Sequence, residues 1–426
     1  MPDSSVVIKG GTIVDFNGDR QADIRIVDGV VDSIGEDLGG DRVLDAGGCA
    51  VGPGLVDLHT HLRQPGKEEA ETVESGARAA AVGGYTCILA MPNTTPAIDS
   101  AGVVREVLDL GRTAACDVRT SGAITVDRAG EALAPMAEMA ELGVRFFTDD
   151  GTGVQDTRLM RRALEYATAL DVTLAEHCED ASMAAGGHMH EGEWSSRLGI
   201  PGQPAEAEEL MVMRDIALAR LTGARVHFQH LSTAGSVAMV KAAKSTGLRV
   251  SCEATTHHFT LTDAECASYD PVFKVNPPLR PRADVEAVKA GLVDGTIDAI
   301  ATDHAPHTTE TKEAAFDEAP PGMLGLETAL ALANTELDLD LRQIFGLLSW
   351  RPAQLLGVTD VHGGPIEVGR AANLCIFDPT ATWTVDPDES VSRSRNNPYR
   401  GRQLTGRVRH TVFAGEPVVI DGEPQR

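Results

Sequence analysis

The sequence predicts an α/β protein: a (β/α)8 barrel of the TIM type that carries a small β-sandwich domain formed by both chain termini. Three observations lead there. Between residues 53 and 355, short apolar strands alternate eight times with helical stretches rich in alanine, leucine and glutamate. Both ends of the chain read as strands joined by glycine-bearing turns. Histidines and aspartates fall just after the predicted barrel strands, and in a barrel all those points lie on one rim.

The elements follow in order. Residues 22–27 and 30–34 flank Asp28-Gly29, a two-residue hairpin signal. At the far end, 373–377, 407–413 and 417–420 alternate in the same strand-like way. Residues 1–52 and 356–426 are therefore assigned to the small β-domain, and 53–355 to the barrel. Barrel strands are expected at 54–58, 86–90, 118–124, 144–147, 172–175, 226–229, 248–252 and 297–300. No GxGxxG follows the first of them, which disfavours an open dinucleotide-binding sheet.

Composition narrows the function classes. A net charge of −26 repels nucleic acid and anionic membrane, so neither is expected as a partner. No run of about 18 apolar residues occurs, and Met1-Pro2-Asp3-Ser4-Ser5 has no basic leader region, so a cytoplasmic protein is expected. The seven cysteines are scattered and form no CxxC, in keeping with reduced thiols. Only seven basic residues are lysines, a bias that GC-rich coding and salt adaptation explain equally well.

His59-Thr60-His61 directly follows the first strand, where alternation turns both imidazoles to one side to chelate an ion. An isolated HxH is more often a pair of surface histidines. His188-Met189-His190, in a glycine-flanked loop, is read as structural for that reason. The first pair is promoted by its company: Asp149-Asp150 after strand four, His177 after five, His230 after six and Asp303 after eight. Imidazole nitrogen with carboxylate oxygen suits Zn²⁺, with Mn²⁺ or Co²⁺ as substitutes.

At this point a family resemblance is specific enough to name. Asp57-Leu58-His59-Thr60-His61-Leu62-Arg63-Gln64-Pro65-Gly66 and Ala301-Thr302-Asp303-His304-Ala305-Pro306-His307, followed by Lys312, resemble the two signature segments of dihydroorotases in the amidohydrolase superfamily. Met91-Pro92-Asn93-Thr94, Phe147-Thr148-Asp149-Asp150-Gly151, Glu176-His177-Cys178-Glu179-Asp180 and Asn276-Pro277-Pro278-Leu279-Arg280 are similar to the longer, class I branch. The resemblance spans nearly the whole chain in order.

The resemblance implies a reversible hydrolysis of the cyclic amide of dihydroorotate to carbamoyl-aspartate, in pyrimidine biosynthesis, with one or two Zn²⁺ ions. By it, His59 and His61 bind one metal, His177 and His230 the other, Asp150 bridges them, and Asp303 completes the first site and acts as acid/base. Many relatives bridge their metals with a carbamylated lysine, but no lysine lies between Lys67 and Lys241, so strands two to five cannot supply one. Spacing alone does not choose between Asp149 and Asp150. For the substrate, Arg63 offers a planar fork to the exocyclic carboxylate. The family adds Asn93 to that contact, Asn276, His307, Pro321 and Gly322 to the ring, and His61 to the residues that touch substrate. His307 is read equally as a partner of Asp303, and His257-His258 as packing or supporting groups. A homodimer and an aspartate transcarbamoylase are the protein partners that the family brings to mind. The rival readings are another cyclic amidase, of allantoinase or hydantoinase type, and a non-catalytic partner of the transcarbamoylase. Arg63 and the missing lysine weigh against the former, and the retained ligand set against the latter.

Overall fold

A computed structural model describes residues 5–426; the stretch 1–4, part of the supposed leader-free start, lies outside the described residues. Eight parallel strands form the barrel: β1 (Leu55–Thr60), β2 (Tyr85–Ala90), β3 (Asp117–Thr120), β4 (Phe146–Phe147), β5 (Thr173–Glu176), β6 (Arg225–Phe228), β7 (Val250–Thr255) and β8 (Ala299–Ala301). They hydrogen-bond as two runs, β1-β2-β3 and β4 through β8 in order. Single bridges close the circle, Gly122 with Phe147 between β3 and β4, and Thr60 with His304 between the last strand and the first.

Seven helices return the chain along the outside: α1 (Val73–Val82), α2 (Ala101–Gly111), α3 (Met136–Glu141), α4 (Thr157–Leu170), α5 (Glu206–Thr222), α6 (Ala234–Ser245) and α7 (Arg282–Asp294). Side-chain caps set several of their starts. Thr72 and Ser75 form a capping box on α1, Asp156 accepts from the Leu159 amide on α4, and Thr233 caps α6. Left-handed Gly223 and Gly295 end α5 and α7. Helices Ala329–Glu336, Leu341–Phe345 and Arg351–Leu356 follow β8. Val56, Leu58, Leu89, Phe146 and Ala299 come from strands around the circle and share one buried cluster with Ala353 and Leu356. That cluster packs part of the barrel interior.

Both termini contribute to the remaining sheets. One has four strands, in the order Val30–Gly35, Asp23–Val27, Val6–Lys9, Arg42–Asp45. The other has seven, and in it Leu374–Thr384 pairs antiparallel with Ala50–Pro53, Ile376 standing opposite Val51. Val6, Ile8, Ile24, Val51, Ile376 and Val412 bury a common core between them. The Asp28-Gly29 turn is as read: Val27 pairs with Val30, and both turn residues have positive φ, 50° and 80°.

Every barrel strand departs from its expected bounds at one end or both, and three departures bear on the site. The third strand stops at Thr120, where the chain turns to serve the rim, and the fourth starts two residues late, at Phe146, and is only two residues long. The seventh runs on to Thr255, three residues past the expected end. Glu253, one residue past the expected end, is fully buried inside that strand.

Candidate metal and substrate site

The residues picked out at the strand ends meet in one place. His61, Arg63, Asn93, Asp150, His177, His230, Asn276, Asp303, His307, Pro321 and Gly322 all line one rim cavity of about 170 Å³. His59 lies directly beneath it, fully buried, with Nε2 at 3.3 Å from Asp150 Oδ1 and 3.5 Å from Asp303 Oδ1.

Two sets of potential ligands share Asp150: His59, His61 and Asp150, and Asp150, His177 and His230, the ligand atoms of each set lying within 4.8 Å of one another. In the second set His177 Nδ1 and His230 Nε2 approach to 2.9 Å, and both lie within 4 Å of Asp150 Oδ1. Asp303 Oδ1 is 2.9 Å from His61 Nε2. The donor set fits a divalent cation: converging imidazole nitrogens and carboxylates, with His59 Nε2 buried and without a hydrogen-bond partner.

Neighbouring carboxylates divide by environment. Burial pushes the Asp150 carboxyl up, but the histidines around it hold it well below the usual range. Asp303 is likewise held low, against its burial, by His59 and His61. Asp149 points the other way. Its Oδ1 accepts from the backbone amides of Ile124 and Thr125 at 2.9 and 3.0 Å, and its other oxygen accepts from the Thr125 hydroxyl. Burial raises its pKa in spite of those bonds. Asp149 thus ties the chain after β3 to the chain after β4 while Asp150 faces the histidines.

Backbone strain gathers at the same rim. Arg63, His230 and Asp303 have φ of 60°, 34° and 46°, a region costing about 1–3 kcal/mol for such residues. Each stands where the chain turns sharply off the rim.

Substrate-side groups surround the cavity mouth. Arg63 is buried, donates from Nε to the Pro306 carbonyl at 3.1 Å, and has its pKa lowered to about 10 by burial. Asn93 spans two site residues, with Oδ1 at 2.8 Å from His61 Nδ1 and Nδ2 donating to Asp150 Oδ2 at 3.3 Å. Asn276 Nδ2 is 3.4 Å from His177 Nε2, and its Oδ1 is buried without a partner. His307 Nε2 donates to the Pro321 carbonyl at 2.8 Å, so it braces the loop; it makes no hydrogen bond to Asp303. Gly322 closes that loop at φ 144°, where a Cβ would stand 2.8 Å from His307 Nε2, so no side chain fits.

Residues 48–236 match the family model described as Dihydro-orotase-like. A curated dihydroorotase of Pelotomaculum thermopropionicum is 48% identical over 98% of this chain and 99% of its own length. Another, of Streptomyces coelicolor, is 47% identical over 99% of each chain. The chain belongs to the dihydroorotase family. Among solved structures, the L-hydantoinase (dihydropyrimidinase) of Arthrobacter aurescens superposes with a TM-score of 0.89 at 26% identity, over 99% of this chain and 98% of that one.

For this member of the dihydroorotase family, sequence reasoning passed over several supporting residues. Glu253 bonds to His59 Nδ1 at 2.9 Å. Asp57 accepts from the backbone amides of His59 and Thr302, both at 3.1 Å, and so joins the first strand to the last. Lys312 Nζ donates to the carbonyls of Pro271, Lys274 and Pro320, pinning the loop that ends in Gly322. Asp57 and Lys312 had a signal, the one opening the first signature segment and the other following the second. Of the paired histidines after β7, His258 bonds to Thr255 Oγ1 and the Pro277 carbonyl, and His257 Nε2 is buried without a partner. Another cluster, Cys87, Asp117 and His362, has ligand-like spacing. There both imidazole nitrogens already have partners, Asp117 at 3.1 Å and Thr86 at 3.2 Å, and Arg119 pairs with Asp117, so that cluster is structural.

Proposed function

We propose that the chain is a zinc-dependent dihydroorotase that interconverts dihydroorotate and carbamoyl-aspartate in pyrimidine biosynthesis. One observation carries the substrate choice. The buried guanidinium of Arg63 opens into the same small cavity as Asp303 and the Asp150–histidine cluster. A buried cation there needs an anionic partner, and the exocyclic carboxylate of dihydroorotate supplies one. The hydantoinase-like fold keeps the rival cyclic amidase in view, but a neutral ring would leave Arg63 unpaired.

In this reading His59, His61 and Asp303 hold one ion, His177 and His230 the other, and Asp150 stands between. A bound divalent ion would supply an acidic water near neutral pH and an electrophile for the ring carbonyl. Zinc is favoured by the nitrogen and oxygen donor set. Asp303, held ionised, takes the proton of the attacking water at a carboxylate oxygen and returns it to the ring nitrogen as the amide opens. In the reverse direction it takes the proton from the ureido nitrogen. Arg63 and Asn93 hold the carboxylate, while His61, Asn276, His307, Pro321 and Gly322 border the ring.

Seven cysteines, all buried and unpaired, support a reducing cytoplasmic setting. No helix among the described residues is long and apolar enough to cross a membrane. The seven-stranded sheet built from both termini supports a division into 1–52 with 356–426 and 53–355. Leu210, Met213 and Leu221, exposed by 42, 53 and 61%, make an apolar stripe on α5 where a second copy or an aspartate transcarbamoylase would seat. The decisive experiment pairs metal analysis of purified protein with turnover of dihydroorotate and dihydrouracil. Metal-dependent turnover of dihydroorotate alone is expected, and comparable kcat/KM on both rings would overturn the assignment.

A further inference from the structure

A line of hydrogen bonds runs through the barrel beneath the rim. His59 Nδ1 meets Glu253 Oε1 at 2.9 Å, Glu253 Oε2 meets His227 Nε2 at 3.1 Å, and His227 Nδ1 meets Ser251 Oγ at 2.9 Å. Glu253, His59 and His227 are all but inaccessible to solvent, at 0, 0 and 1% exposure. Each member comes from the barrel itself: His59 from β1, His227 from β6, Ser251 and Glu253 from β7.

The chemistry of these groups fixes where the protons sit. A carboxylate only accepts, so each imidazole nitrogen facing Glu253 carries a hydrogen. His59 then keeps its proton on Nδ1 when an ion is bound, and offers the Nε2 lone pair on the side of Asp150 and Asp303. His227, protonated at Nε2, accepts at Nδ1 from the Ser251 hydroxyl. Gln229 Nε2 also lies 3.3 Å from His59 Nδ1, but as a donor it cannot replace the carboxylate.

We propose that Glu253 is the positioning residue of the metal centre, fixing His59 in the tautomer and orientation that presents Nε2 to the ion, with His227 and Ser251 holding Glu253 in turn. The inference rests on the metal centre argued above, and metal uptake by the wild-type protein tests that centre alone. Glu253→Gln keeps the size but turns an N–H donor toward one of the two imidazoles. Protein stripped of metal is titrated with Zn²⁺ against a chromophoric chelator, and its melting is followed without metal. The expected result is a loss of Zn²⁺ affinity of about 10- to 100-fold, with metal-free melting close to wild type. Wild-type affinity in Glu253→Gln overturns the proposal, as does a loss of melting in the metal-free protein with affinity intact. The metal-bound protein gives a second readout that does not depend on Glu253→Gln. Imidazole ¹⁵N shifts of the zinc-loaded wild type, with His59 assigned by its absence in His59→Gln, should show the proton on Nδ1 and none on Nε2. A proton on Nε2 with Nδ1 bare overturns the proposal.

Discussion

Two histidine pairs of identical spacing occupy this chain, His59-Thr60-His61 and His188-Met189-His190, and their surroundings could hardly differ more. The first pair ends a barrel strand, and its imidazoles face Asp150, Asp303, Glu253 and Asn93. The second lies at a two-residue strand, Met189–His190, paired with Gly202–Gln203. His190 Nδ1 is 3.1 Å from the guanidinium of Arg280, and Lys274 is the charge that bears most on His188. Carboxylates around one pair draw a cation in, and cations around the other keep it out. The motif is the same in both places, so metal binding follows from the charges the fold brings to it.

The comparison breaks most visibly if a ligand is removed from the first pair. His59→Ala should lose bound metal and turnover together, whereas His190→Asn should keep both at wild-type level; metal analysis beside an activity assay reads the contrast. Retained metal in His59→Ala would show that the first pair is no better a ligand than the second.

A smaller but still severe effect is expected at Arg63, the cation that the rim does tolerate. Truncating a buried charged partner costs about 2–5 kcal/mol, or roughly 30- to 4,000-fold in kcat/KM. Arg63→Met should lose dihydroorotate turnover on that scale, and Arg63→Lys should fall between, since it keeps the charge but not the fork. Equal rates for both variants would mean that the planar fork contributes nothing.

Between the two aspartates, Asp150→Asn should cut metal content, and Asp149→Asn should chiefly cost stability. Asp149 satisfies two backbone amides and a hydroxyl, and impairing such buried bonds costs about 1–3 kcal/mol. Thermal melting and metal content measured on both variants check this, and a reversal of the two outcomes would exchange their roles.

The smallest expected effect is a pH dependence at the second pair. Burial and Arg280 push the His190 pKa down to about 4, from an ordinary value of 6.5. Between those values the unfolded chain binds a proton that the folded protein refuses, so stability falls as pH drops through that window. His190→Asn removes that contribution. Its melting temperature relative to wild type should therefore rise as pH falls from 7 toward 4, and a constant offset would place His190 in an ordinary environment.

Much of this was legible in the sequence, and what escaped has physical reasons. Strand periodicity located the barrel strands because each is an apolar run closed by polar residues. The strand ends in turn brought His59, His61, His177, His230 and Asp303 to one rim. Spacing could not tell Asp149 from Asp150, and only the family resemblance chose the latter, since adjacent residues of one type differ only in which way the loop turns them. Glu253 was missed because a buried acid is anomalous until its two imidazole partners are known, and those stand on strands far away in sequence. Lys312 was noticed as part of a motif, but its three carbonyl partners belong to loops whose approach no local pattern encodes.

The closure of the barrel between its first and last strands sets the order in which the centre comes into being. His61 and Asp303 are 242 residues apart, and their supports Asp57 and Thr302 are separated by 245. Contacts of such long range form late, because the loop must be closed before they repay it. On a ribosome adding roughly 5–20 residues per second, that interval lasts about 10–50 s. Throughout it, His59 and His61 exist without the strand that leads to Asp303. If Asp303 is their third ligand, as proposed, capture of that ion waits for β8, and the rate at which a refolding chain acquires it is a stopwatch on the joining of β8 to β1.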